Sequence, residues 1–282
     1  MVLLAVLMAF VLVAPHAEAA KKQRIIAISP FAAQALVQMG VKPIAVGATI
    51  GATTRQQKML SGIPKLALSH PNGPNLEVLA RKKPDIVFSS DRWKAGTPAM
   101  KRLGIRVVYA DPTSPNGVKP NVLKIGRVVG RQKQAVKLNR RITSGLRNAI
   151  KGIGPNRKKI LVVLGIGRTA MAFLGNSWGG NLVTQAGGNL VTGGATAGGG
   201  FARLSDEVVV AENPDVIVVV PHGNSGDLSQ VRDYILNNEA WKTTNAFKTK
   251  QVFVSIDNTL LQAGTDLGPV VSSIRTDFLK NR

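Results

Sequence analysis

Cysteine is absent from the 282 residues, so the chain has no disulfides and stability must come from packed cores alone. Histidine is scarce: there are three, of which His16 lies in an N-terminal apolar segment, too few for a usual nitrogen and sulfur metal site. Acidic residues are few, with 15 Asp and Glu against 37 Lys and Arg and a net charge of +22. Such an excess raises nucleic acid as a partner. Aromatics make up only 5%, however, and the cations are spread from Lys21 to Arg282 rather than gathered in a block, which does not suit base stacking on a basic groove. No nucleic-acid partner is therefore expected; the charge reads as a solvated basic surface, or as attraction to anionic ligands or membranes. The apolar run from Val2 to Ala14 is shorter than the roughly 20 residues that span a bilayer, and Ala17-Glu18-Ala19 supplies small residues at the spacing of a signal-peptidase site. Residues 1–20 are expected to be a signal peptide. With no cysteine to follow it, the exported chain is expected to be soluble, periplasmic or otherwise extracytoplasmic, and not lipid-anchored.

What is present is a repeat. Asn75-Leu76-Glu77-Val78 runs to Pro84-Asp85-Ile86-Val87, and Ser205-Asp206-Glu207-Val208 runs to Pro214-Asp215-Val216-Ile217. Each copy has a helix-capping residue, a Glu two positions later, Pro-Asp seven positions after the Glu, and then an apolar run of strand type. Two similar lobes are implied, each with a Glu in the first turn of a helix. There the carboxylate stabilises its own helix start by about 0.3–1 kcal/mol. It is also free to pair with arginines of a two-fold partner.

Along the chain, buried-strand runs alternate with helical spacing. Ile25 to Ile28, Pro43 to Gly47, Ile86 to Ser89 and Val107 to Tyr109 are followed by Lys158 to Leu164, Val216 to Val220 and Val252 to Ile256. The fold class is α/β: two similar lobes with parallel-type sheets flanked by helices. Residues 21–112 form an N-terminal lobe and 151–282 a C-terminal lobe. Residues 113–150 are a linker containing the longest helical pattern, 121–150, which if continuous is about 45 Å long; Gly126, Gly130 and Gly145 weaken it.

The ordered set Arg24 to Pro30, Asn75-Leu76-Glu77 to Pro84-Asp85, Leu103 to Val108, the long helix, Ala186 to Asn189, Leu204 to Glu207, Asn213 to Ile217, and Ala240-Trp241 to Ala246-Phe247 resembles the periplasmic substrate-binding proteins of iron-siderophore, haem and cobalamin ABC importers. The resemblance implies two α/β lobes joined by one long interdomain helix, a ligand in the cleft between them, and no enzymatic activity or resident cofactor. It also implies a monomer that delivers its ligand to an ABC transporter permease dimer, with Glu77 and Glu207 docking on the two membrane subunits. The ligand is expected to be an iron or cobalt chelate, a ferric siderophore first, cobalamin next, haem as the alternative. By position the cleft loops supply Phe31, Arg92, Trp93, Arg168, Phe201, Arg203 and Gln262 as ligand-binding residues. Among these, Arg92-Trp93 and Phe201-Ala202-Arg203 pair an aromatic face with a cation, which suits a large anionic chelate. Haem needs an axial ligand, for which Tyr109, Tyr234, His70 and His222 are the candidates.

An enzyme reading rests on Gly165-Ile166-Gly167-Arg168-Thr169-Ala170, a G-x-G-x-x-A after a strand. It lacks the acidic residue that should end the next strand about 20 positions on.

Overall fold

The computed structural model describes residues 23–166, 168–196, 199–222, 228–255 and 257–280. The expected signal peptide, Gly167 of the glycine motif and Ile256 at the end of the last expected strand lie outside the described residues. Among the described residues no helix is long and apolar enough to cross a membrane.

In the first lobe β1 (Ile25–Ala27) leads to α1 (Pro30–Gln38) and β2 (Ala45–Gly47). The stretch between β2 and the first capped helix holds α2 (Thr54–Met59), β3 (Lys65–Leu66), β4 (Leu68–Ser69) and β5 (Gly73–Pro74), and then come α3 (Leu76–Lys82), β6 (Ile86–Ser89), α4 (Thr97–Arg102) and β7 (Arg106–Tyr109). The sheet order is β3-β2-β1-β6-β7, all parallel. Ile25, Ile26 and Ala27 are all buried because helices cover both faces of a parallel sheet.

The bridge is two helices, not one. α5 (Val118–Val128) stops before Gly130, whose φ of +66° is left-handed, a conformation that glycine adopts without steric cost, and α6 (Gln132–Ala149) starts afresh. The expected 45 Å rod is thus replaced by a helix pair, the longer member being about 27 Å. Two of the glycines that seemed to weaken a rod are crossing points. A Cβ on Gly126 would stand 2.4 Å from the Ala135 methyl, and one on Gly268 would stand 2.6 Å from the Gly145 backbone.

The second lobe comprises β8 (Lys159–Ile166), β9 (Thr169–Phe173), α7 (Trp178–Gln185), β10 (Asn189–Leu190), β11 (Phe201–Ala202), α8 (Asp206–Glu212), β12 (Val216–His222), α9 (Leu228–Leu236), α10 (Asn245–Lys248), β13 (Val252–Val254) and α11 (Leu267–Ser273), which passes into a π-helical turn Ile274–Leu279. Its sheet runs β11-β9-β8-β12-β13, with β10 also beside β8. β10, β8, β12 and β13 repeat the parallel arrangement of β2, β1, β6 and β7. β9 and β11 are an antiparallel addition, so this sheet is mixed where a parallel one was expected.

The repeated unit folds the same way twice. The Asn75 side chain accepts from the Glu77 and Val78 amides, and the Ser205 hydroxyl from the Val208 amide. Each helix ends in a left-handed residue, Lys83 at φ 43° and Asn213 at φ 46°. Proline then forbids continuation, and the aspartate after it pins the unit to its neighbouring strand. Asp85 accepts from the Arg24 amide at 2.6 Å and Asp215 from the Lys159 amide at 2.8 Å, at the starts of β1 and β8.

One apolar core runs through both lobes, from Ile25 and Phe31 past Val122, Ile125, Leu138 and Ile142 to Ile160 and Val271. The segment between β13 and α11 also crosses to the first lobe. The Asn258 amide donates to the Gly51 carbonyl at 2.8 Å, Gln34 Oε1 accepts from the Thr265 amide at 3.0 Å, and Arg55 lies 3.5 Å from Asp266. A continuous core and these ties restrict how far the lobes can part.

Candidate ligand cleft and docking face

Parallel strands point their C-terminal ends at the same edge, where the loops gather. Here those loops enclose a cleft of about 210 Å³ walled by both lobes. Ser90 to Trp93 and Asp111 to Thr113 come from one lobe, and Asn176 to Trp178, Phe201 and Leu260 to Ala263 from the other. Its size is below the roughly 300–1,000 Å³ of pockets that enclose a drug-sized molecule, so a larger ligand seated there stands out into solvent.

Four of the expected ligand residues meet in this cleft: Arg92, Trp93, Phe201 and Gln262. β6 ends at Ser89, and the 3-10 turn Asp91–Gly96 swings Arg92 and Trp93 over its end. Arg92 Nη2 donates to the Leu261 carbonyl of the opposite lobe at 3.0 Å. Phe201 stands edge-on to Phe173 with centroids 4.8 Å apart.

Three do not. Phe31 is 0% exposed, inside the core; it is Pro30 at the start of α1 that lines the cleft. Arg168 and Arg203 line a separate depression with Asp206, Glu207, Tyr234 and Trp241. The reason is β9. Ile166 pairs with Thr169 across an antiparallel hairpin, so the chain after β8 turns back along the sheet instead of entering a helix at the cleft. Arg168 ends with its guanidinium 5.6 Å from the Tyr234 ring centroid. The same hairpin removes the dinucleotide reading, which needs a strand, a tight turn and a helix N-terminus.

Sequence reasoning missed Trp178, whose indole N–H donates to the Thr259 carbonyl at 2.9 Å, and Asp111, which accepts from the Ser29 hydroxyl at 2.8 Å. Nothing local marks either one. Burial pushes the Asp111 carboxyl up to about 6 from its ordinary 3.8, against the lowering effects of the Ser29 hydrogen bond and the Arg92 charge. Between those two values the folded chain holds a proton that the unfolded chain has lost. The Asp111 contribution to stability is therefore full below pH 3.8 and is lost as pH rises through about 6. Asp111→Asn should match the parent near pH ~3.5 and exceed it near pH ~7.5 by up to roughly 3 kcal/mol, read by urea melts at both pH values; a constant difference would show that Asp111 titrates normally.

Of the axial candidates, Tyr109 hydroxyl is taken by Thr97 Oγ1 at 2.5 Å, and Tyr234 lies under Arg168, at the depression beside Glu207. The two histidines are better placed. His70 sits edge-on to Trp93 with centroids 5.9 Å apart. His222, at the end of β12 in the other lobe, has its pKa lowered first by burial and then by the charge of Arg92. Its imidazole is neutral at neutral pH, the form that binds metal. Among the described residues no group of three or more His, Cys, Asp or Glu could hold a bare metal ion.

Glu77 and Glu207 start α3 and α8, the helices that precede β6 and β12, so both lie toward the edge where the cleft opens. The chain enters each from a cleft wall: Gly73 lies against the Trp93 side chain, and Phe201 lines the cleft. The Glu77 side chain is 82% exposed, with exposed Arg81 at 3.9 Å, a pair worth about 0.5 kcal/mol or less. Glu207 is fully exposed, its pKa lowered by the Ser205 hydroxyl and by its own amide. A large apolar side chain is exposed on each helix as well, Leu76 and Val210.

A family profile described as periplasmic binding protein matches residues 25–258. The high-affinity haem uptake system protein IsdE of Staphylococcus aureus is 26% identical over 191 residues, covering 66% of this chain; the chain spans 64% of the length of that relative. The crystal structure of S. aureus IsdE complexed with haem superposes with a TM-score of 0.77 at 21% identity, over 92% of this chain and 99% of that one. The periplasmic haem-binding protein HutB of Vibrio cholerae gives a TM-score of 0.73 at 18% identity, over 90% and 98%.

Proposed function

The chain belongs to the periplasmic binding protein family, and from that premise we propose that it captures haem in the inter-lobe cleft outside the cytoplasm and hands it to an ABC importer. The observation that carries the choice of ligand is the position of two imidazoles. His70 of one lobe stands edge-on to Trp93, and His222 of the other lies within range of the Arg92 charge; neither lines the cleft itself, and each offers an imidazole nitrogen to an iron held at its mouth. A macrocycle fits this reading because its coordination plane is already filled, so it asks for one or two protein ligands rather than a cluster. Trp93, Phe201 and Trp178 supply flat apolar walls, and the charged propionates of a haem standing out of a cleft of about 210 Å³ stay in water. The lining also argues against a strongly anionic catecholate chelate. Arg92 is the one Lys or Arg among the described lining residues, which also include Asp91 and Asp111, and its charge acts on Asp111.

The relatives named for haem support the same choice. A ferric siderophore or a corrinoid remains the second reading, favoured by the pairing of Arg92 with Trp93. Titrating the chain with ferric protoporphyrin, a panel of ferric siderophores and cobalamin separates them. Haem should give a saturable one-to-one shift of its main absorption band, quench tryptophan fluorescence and raise the melting temperature. Saturation by a siderophore or cobalamin with no haem band shift would overturn the assignment.

Delivery rests on Glu77 and Glu207. One exposed carboxylate on each pseudo-equivalent lobe, beside an exposed Leu76 or Val210, offers a two-subunit permease a charge-assisted contact with an apolar rim.

A further inference from the structure

Between Asp111 and Asp206 the sequence contains no acidic residue, and the helix pair of the bridge lies inside that stretch. On α6, at 3.6 residues per turn, Lys133, Lys137, Arg140, Arg141, Arg147 and, in the turn that follows, Lys151 fall within an arc of about 120° and extend over about 27 Å. All six are exposed, opposite the buried stripe of Ala135, Leu138, Ile142 and Ala149. Among the described residues no ion pair involves any of them; Arg141 donates to Gln38.

This helix forgoes what would stabilise it in water. Its N-cap, Arg131, makes no side-chain cap bond, and its first turn holds no acid, although the dipole favours negative charge there. Lys133 with Lys137, Lys137 with Arg141 and Arg147 with Lys151 are like-charged at four-residue spacing, which is unfavourable. A merely solvated face would gain from interleaved glutamates. Val136 and Ile150, exposed by 42% and 38%, border the cationic arc on one side.

We propose that this face of α6 rests on an anionic phospholipid bilayer, holding the exported chain beside the membrane. Opposite charge from outside relieves the repulsion along the helix. The bordering Val136 and Ile150 supply apolar contact at the headgroup boundary, as in basic amphipathic helices that lie in that plane; a linear polyanion in solution would have no use for them. Lys124 and Arg127 of α5, also exposed, add cationic surface on the adjoining helix.

The test uses the chain from Lys21 onward, which keeps every described element, and co-sedimentation with vesicles of phosphatidylcholine alone or with about a third phosphatidylglycerol. Binding is expected only to the anionic vesicles, and should weaken at least roughly tenfold on raising salt from about 0.05 to 0.3 M. Lys133→Glu/Lys137→Glu/Arg140→Glu should lose at least about tenfold in vesicle binding with an unchanged or higher melting temperature. The control Lys42→Glu/Lys65→Glu/Lys101→Glu makes the same charge change elsewhere and should stay within about twofold. Equal losses in both variants would reduce the effect to net charge. That result, no vesicle binding, or binding to polyphosphate with none to vesicles would each overturn the proposal.

Discussion

Uptake is expected to stop when Glu77 and Glu207 are both replaced by alanine, while the affinity for the captured chelate stays within about twofold. Neither residue touches the cleft lining. Each lies at an exposed helix start, where its removal costs the fold little against the stability of a whole domain. The helices keep their main caps, since Asn75 and Ser205 do that work. A loss of transport with ligand binding and melting temperature intact therefore reports a lost contact, not a lost fold. Each single variant should retain part of the uptake, because one lobe still docks. Transport at the parental rate in the double variant would remove both residues from the delivery step.

The second large effect concerns the histidines. His70→Ala with His222→Ala should abolish the absorption band of the iron-coordinated haem and weaken binding on the order of hundredfold, equivalent to about 2.8 kcal/mol. Either single variant should shift the band and lose less, since one axial nitrogen remains. His70 is exposed and His222 accessible at its strand end, so neither change opens a cavity in the core and melting of the free chain should move little. An unaltered spectrum in the double variant would place the iron elsewhere. The same variants leave a siderophore or corrinoid nearly unaffected, so the measurement also separates the two readings of the ligand.

How legible the site was depends on which interactions made it. Arg92 and Trp93 were readable because they follow directly on a strand end, and a strand's C-terminal edge is where α/β loops collect. Phe31 follows a strand too, yet proline at the start of α1 fixes the helix one residue earlier and turns the ring into the core. Arg168 was misplaced because no local signal says whether a buried strand is followed by a helix or by an antiparallel return. β9 is half-buried over its first three residues and buried over its last two, and Thr169 to Phe173 is too short and too uniformly apolar to declare itself. Gly126, Gly130 and Gly145 were visible as weak points. Only one of them, Gly130, breaks the rod; Gly126 and Gly145 let other elements approach.

By itself the sequence determined what is settled within a dozen residues: two capped helices ended by left-handed residues, the proline after each, the aspartate that catches a neighbouring amide, and the apolar runs that become the central strands. From these came the two lobes and the exposed carboxylate on each. Tertiary structure decided what needs residues far apart in the chain: the antiparallel addition to one sheet, the folding of the bridge back on itself, the pairing of Arg92 with the Leu261 carbonyl, and the placing of His70 against Trp93. The reason is range. Caps, turns and periodicity are enforced by bonds between near neighbours, whereas Arg92 and the Leu261 carbonyl, 169 positions apart, meet only after the cores have packed, and no local preference records where.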